Sequence, residues 1–190
     1  MKLFVVMLAL LSPSAFAYYS TWDTGDTLKP GHYESSLEGQ FITADGSGAN
    51  LVGRFDMPVA DDSVARIMIG AGTVDFHMGG FYKYVPYPDL ESQPAIGIIG
   101  GVIYGRNEGL NFLTVRVAPI VSKAYHVNFG TLTPFASLPI GVRSQKGGTD
   151  VPAQLAIGTD LRTHHFEHIR WRSEIGFNLN EAYSYISLGA

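Results

Sequence analysis

The 190-residue chain has no cysteine. That excludes a disulfide scaffold, a thiol nucleophile, a thiolate metal site and a lipoprotein anchor. Charge is scarce too: Asp, Glu, Lys and Arg together make up 16% of the residues, low for a chain that must coat itself in charge to stay soluble. The formal net charge is only −4, and without a basic run the chain lacks the electrostatic footprint of a nucleic-acid binder. Beyond the N-terminal stretch no apolar run approaches the roughly 18 residues of a membrane-spanning helix. There is no G-x-S-x-G, no phosphate loop and no cofactor fingerprint, so no cofactor is expected.

What is present begins with an export signal. Lys2 supplies a short positive start, Leu3 to Leu11 form an unbroken apolar run, and Ala15-Phe16-Ala17 places small residues at a cleavage site. This predicts a signal peptide over 1–17, a polar periplasmic lead-in over 18–31 and a single β-domain over 32–190. The mean hydropathy of +0.10 is high for a soluble domain and far too low for a helical membrane protein. A barrel that hides its polar half inside has this intermediate value.

From Tyr33 onward the chain breaks into alternating segments of about ten residues, with no helical period. Turn residues separate them: Ala44-Asp45-Gly46-Ser47-Gly48, Ala60-Asp61-Asp62-Ser63, Arg106-Asn107-Glu108-Gly109 and Gln145 to Asp150. Near the C-terminus Ile169, Trp171, Ile175, Phe177 and Leu179 share one face, while Arg170, Arg172, Glu174, Asn178 and Asn180 share the other. Four more segments divide the same way. Tyr33 and Phe41 oppose Glu34 and Glu38; Phe55 opposes Arg54 and Asp56. Phe76, Tyr82 and Tyr84 oppose Asp75, His77 and Lys83; Leu155 and Ile157 oppose Asp160 and Arg162. Pro94 to Gly105 is apolar on both faces, and Thr131 to Arg143 contains Pro134 and Pro139. The pattern predicts ten strands if Ala71-Gly72-Thr73 and Asn180-Glu181 are tight turns, and eight if they are only bends.

Alternation alone does not say which face is inside. Large residues on nearly every oily face, aromatics gathered towards strand ends and short loops favour an oily exterior. On these features the sequence resembles the small Gram-negative outer-membrane β-barrels, such as the OmpA-type transmembrane domain. The resemblance implies an all-β, closed, antiparallel up-and-down transmembrane barrel in the outer membrane. It also implies outer-membrane lipid as surroundings and the barrel-assembly machinery as a partner during biogenesis. One departure is the terminal Ala190, where such barrels usually end on an aromatic residue.

Under that arrangement Tyr33, Phe41, Phe55, Phe76, Tyr82, Tyr84, Trp171 and Phe177 face lipid or form aromatic girdles. The lumen receives the cations Arg54, Arg66, Lys83, Arg116, Arg143, Arg162, Arg170 and Arg172. It also receives the anions Glu34, Glu38, Asp56, Asp75, Asp160 and Glu174. Charges in so narrow a space should pair, which predicts a polar, side-chain-filled lumen and a non-enzymatic structural or interaction role. Two alternatives stay open: a narrow channel for small solutes, and a soluble periplasmic lipocalin-like barrel binding an apolar ligand. His164, His165 and His168 with Glu167 match no strong zinc spacing and read as a loop, so no metal site is expected. His32, His77 and His126 have no serine two residues away, and no catalytic residue is assigned.

Overall fold

The computed structural model describes residues 20–43, 47–166 and 168–190; the predicted signal peptide, residues 44–46 and Glu167 lie outside them. The strands are β1 (Glu34–Ile42), β2 (Gly48–Ala60), β3 (Ser63–Gly72), β4 (Phe76–Tyr87), β5 (Ala95–Asn107), β6 (Leu110–Ser122) and β7 (Tyr125–Val127). They continue with β8 (Gly130–Ser137), β9 (Ile140–Gln145), β10 (Gly148–Asp150), β11 (Ala153–Thr163), β12 (Arg170–Asn180) and β13 (Tyr185–Gly189). All pairings are antiparallel, and β13 closes on β1 with Glu38 opposite Gly189 and Ile42 opposite Tyr185. β8 and β9 are two halves of one stave lying between β6 and β11, while β7 and β10 are short hairpin extensions. The result is a closed barrel of ten staves.

Ten is the observed number, although the first reversal runs over 73–75, with Ala71 and Gly72 still in β3, and not at Ala71-Gly72-Thr73. β3 ends at Gly72 (φ +147°) and β4 begins at Phe76, and Glu181 (φ 45°) turns the chain from β12 into β13. Between β5 and β6, Glu108 (φ 49°) and Gly109 (φ 79°) form the mirror-image two-residue turn whose twist matches the flanking strands. The predicted turn at Asp61-Asp62 joins β2 to β3.

Prolines explain the irregularities. Register shifts fall between Pro58 and Ala60, between Tyr84 and Tyr87, and between Ala153 and Gln154. Each lies at or beside a proline (Pro58, Pro86, Pro152), which has no N–H to continue a ladder. Pro139 splits β8 from β9, and Leu138 N there donates to Pro119 O at 3.2 Å.

Side chains alternate as the pleat requires. The outer wall carries Leu51, Ile67, Ile69, Val102, Leu113, Val115, Val142, Ile157, Ile175 and Leu188, all exposed. Among outward positions of the ten staves only Arg106, beside the β5–β6 turn, is charged. Tyr33, Tyr82, Tyr84, Tyr87 and Trp171 ring the rim where β1 begins, here the near rim; Phe41, Phe76, Tyr104 and Phe177 lie toward the far rim. Tyr33 stacks on Phe55 with centroids 5.8 Å apart.

Candidate functional site

The interior divides into two halves. Toward the far rim apolar side chains predominate: Ile42, Val52, Met68, Phe81, Ile103 and Phe112 are buried there beside Asn50, His77 and Arg143, and their cluster continues toward the near rim through Ile99, Ala118 and Ile120. Val74 and Tyr183, from the turns β3–β4 and β12–β13, fold into the far mouth and join that cluster. Val74 N donates to Asn50 Oδ1 at 3.0 Å, and Gln154 Nε2 donates to Tyr183 O at 2.8 Å. The doubly apolar segment foreshadowed this half. Gly101 and Gly105 of β5 leave room where a Cβ would collide with the rings of Phe81 and Phe112.

The near-rim half is charged, and the chain's own residues 20–26 occupy it. Ser20 to Thr24 are buried. Residues 20–25 of the expected lead-in therefore run inside the barrel rather than merely up to it. Inward side chains of the wall satisfy its backbone. Glu174 accepts from Thr21 N at 2.9 Å and Trp22 N at 2.6 Å, one N–H to each carboxylate oxygen. Tyr185 OH donates to the same carboxylate. Arg66 donates to Thr21 O at 3.1 Å, Arg172 to Trp22 O at 2.7 Å, and Lys83 to Asp26 O at 2.6 Å. Buried backbone polar groups need such partners, so the wall's donors and acceptors hold a defined strand of plug.

Side chains tie the plug further. Ser20 Oγ sits among Glu38 (2.9 Å), Gln40 (3.0 Å) and Arg54 (2.7 Å), and Glu38 pairs with Arg54. Asp23 pairs with Lys83 at 2.7 Å and Arg66 at 3.0 Å, while Arg66 also grips Asp56 through two 2.6 Å bonds. The Trp22 ring lies 5.6 Å from the Arg54 guanidinium and 5.9 Å from that of Arg172, within cation–π range. Asp160 binds both Arg170 and Arg172, and Glu34 accepts from the same two arginines. Asp26 meets Arg170 at 3.0 Å.

Of the charged residues assigned to the lumen, Glu38, Arg54, Asp56, Arg66, Lys83, Arg116, Arg143, Asp160, Arg172 and Glu174 are inward and buried. Glu34 and Arg170 are partly buried at the near rim, and Arg162 is at the same rim but exposed. Asp75 is a correction: it lies exposed in the β3–β4 turn, where the chain leaves the strand phase and Val74 turns inward instead. Phe55 and Phe76 are half-buried; the other six residues predicted to face outward are exposed.

Without Asp75, five wall anions face eight wall cations. Asp23 and Asp26 bring the anions to seven, and Asp150, paired with Arg143, makes eight. The cationic excess legible in the sequence is thus neutralised by the plug and one hairpin residue. That surplus, beside a polar segment carrying two aspartates, was the signal available for the plug.

His164, His165 and His168 are exposed in the β11–β12 loop, and among the described residues no three His, Asp or Glu side chains form a metal-binding group. His126 Nδ1 lies 3.2 Å from Thr131 Oγ1 on the exposed surface. Asp89 of the β4–β5 loop pairs with Lys123 at 2.6 Å and accepts from Ala124 N at 2.6 Å, clasping two near-rim loops. Burial raises the Asp89 pKa, but the Lys123 and Ala124 hydrogen bonds and the Lys123 charge outweigh it and hold the carboxyl below its ordinary value. No family model matches this chain, and no curated protein matches it either.

Proposed function

We propose that the chain is an integral β-barrel of a Gram-negative outer membrane, exported through a cleavable signal peptide, with a structural or interaction role and no catalysis. The observation that carries this reading is the inverted polarity of the barrel: an apolar outer wall around a lumen of buried ion pairs. A water-soluble barrel reverses that distribution, and leaving this wall in water would expose an apolar patch far beyond a few hundred Å². From Ile96 to Tyr104 the outward face of β5 runs for about 27 Å, or about 20 Å of height at a tilt near 40°, close to the apolar band of such barrels.

The plug favours a closed lumen over a channel. Its residues fill the charged half, and the apolar cluster fills the other. Outer-membrane lipid and the assembly machinery are then the partners common to such barrels, and any specific partner would meet the loops.

Membrane fractions run on SDS gels with and without boiling test the reading. A heat-dependent mobility shift in the outer-membrane fraction is expected, together with silence in planar bilayers. A soluble periplasmic protein with a single unshifted band would overturn it.

A further inference from the structure

The barrel's glycines fall into two groups. Those facing inward are demanded by packing: a Cβ on Gly70, Gly101, Gly158 or Gly176 would collide with His77, Phe81, Phe135 or Tyr185. Gly39 of β1, Gly53 of β2, Gly80 of β4 and Gly100 of β5 face outward and differ, since a Cβ on any of them meets nothing closer than 3.6 Å; of these, Gly53 and Gly80 lie together. A Cβ on Gly80 would meet nothing within 4 Å, and one on Gly53 would only touch Ile69, at 3.9 Å. Neither has a positive φ, and neither lies at a register shift. Glycine inside a strand costs about 0.5–1 kcal/mol relative to alanine. Turn, bulge and internal packing are absent as reasons, and a bare strand backbone also serves where a ligand approaches closely.

Both glycines help floor an apolar furrow of about 640 Å³ on the outer wall. That size falls within the range of small-molecule sites. The register sets out its rows: Phe55, Ile67, Gly80 and Val102 lie side by side, and Gly53, Ile69, Met78 and Tyr104 form the next row. One row further toward the far rim, Arg106 stands opposite Phe76 on the same face. The wall's one outward charge is therefore one row beyond the furrow's lining, two residues along β5 from Tyr104, and Arg106 makes no ion pair among the described residues.

We propose that the furrow seats an acyl chain of an anionic, phosphate-bearing lipid whose headgroup is held by Arg106. This rests on the outer wall facing a bilayer. An arginine on a lipid-facing wall is tolerated near an interface, and its fork matches a phosphate. A second copy of the barrel would fit less well, because no outward position of its described staves offers a carboxylate to Arg106. Asp75 and Glu108 occupy the adjoining turns, so the headgroup contact is one arginine rather than a basic patch.

The test uses mature protein in zwitterionic detergent, stripped of lipid and titrated with phosphatidylglycerol or phosphatidylcholine, with bound lipid counted by native mass spectrometry. One phosphatidylglycerol per barrel should be retained, about tenfold more tightly than phosphatidylcholine, a difference of about 1.4 kcal/mol. Gly80→Leu fills the furrow without meeting a barrel atom at its Cβ and should weaken retention of both lipids; Gly53→Leu serves as the second filling variant. Arg106→Gln should erase the preference between the two lipids. Unchanged retention in both leucine variants would overturn the inference, as would disulfide-linked dimers of Gly80→Cys, which would place a second copy in the furrow. Heat-dependent gel mobility is read on every sample. Its absence in the natural sequence would remove the membrane reading and this inference together, whereas loss of the lipid result alone leaves the membrane reading standing.

Discussion

Arg66 and Lys83 share Asp23, a carboxylate that comes from outside the barrel wall and has almost no access to water. Removing one member of a buried ionic group leaves its partners charged and desolvated, which costs about 3–5 kcal/mol. Asp23→Ala should therefore reduce the unfolding free energy of the barrel by an amount of that order, read as a lowered urea midpoint. An unchanged midpoint would mean that the plug does not hold these cations. Asp89 makes a second prediction at this scale. Its folded-state pKa lies below the ordinary 3.8, so its clasp on Lys123 adds stability at pH values above 3.8 and loses it as pH falls through the folded value. The natural chain should lose urea resistance more steeply than Asp89→Asn as pH falls below 3.8, compared in parallel unfolding curves.

At the scale of elements, the plug and the far-rim cluster seal the lumen independently. Deleting residues 20–26 from the mature chain should open a water-filled vestibule at the near rim and still give no conductance. Phe81, Ile103 and Phe112 still fill the remaining constriction beside the buried Arg143 and His77, and a constriction so packed with apolar side chains dewets. Steady current steps from the deleted protein would show that this cluster does not seal. β5 explains why a doubly apolar strand belongs in the barrel at all. Its outward Ile96, Ile98 and Val102 join the oily wall, while inward Gly101 and Gly105 make way for rings from its two neighbours. Strand periodicity exposes the outward half of that arrangement. It cannot expose the inward half, because the rings filling the space over β5 belong to β4 and β6.

For the whole molecule, the outer wall's chemistry separates a bilayer from water. Val115, exposed at the middle of β6, is the place to ask. In lipid, Val115→Arg should destabilise the folded barrel by about 2–4 kcal/mol, read as a lowered urea midpoint in liposomes. A soluble barrel would accept the same change at an exposed site within about 0.5 kcal/mol.

The closed ten-stave barrel, most of its turns and ten buried lumen charges were legible in the residue order. Period-two alternation assigns faces locally, and Gly, Pro, Asn and Asp mark where strands must end. Asp75 escaped that reading because a turn, unlike a strand, has no fixed phase, and one extra residue sends the next side chain to the other face. The plug escaped it for a different reason. Residues 20–26 have no period of their own, and their position follows from partners more than a hundred residues away, such as Glu174 and Arg172. Sequence alone determined a barrel with an oily face, a charged face and a surplus of inward cations. Only closure of the sheet decided what neutralised them, because it brought those cations around one narrow space where unpaired charge is costly and the chain's own aspartates were within reach.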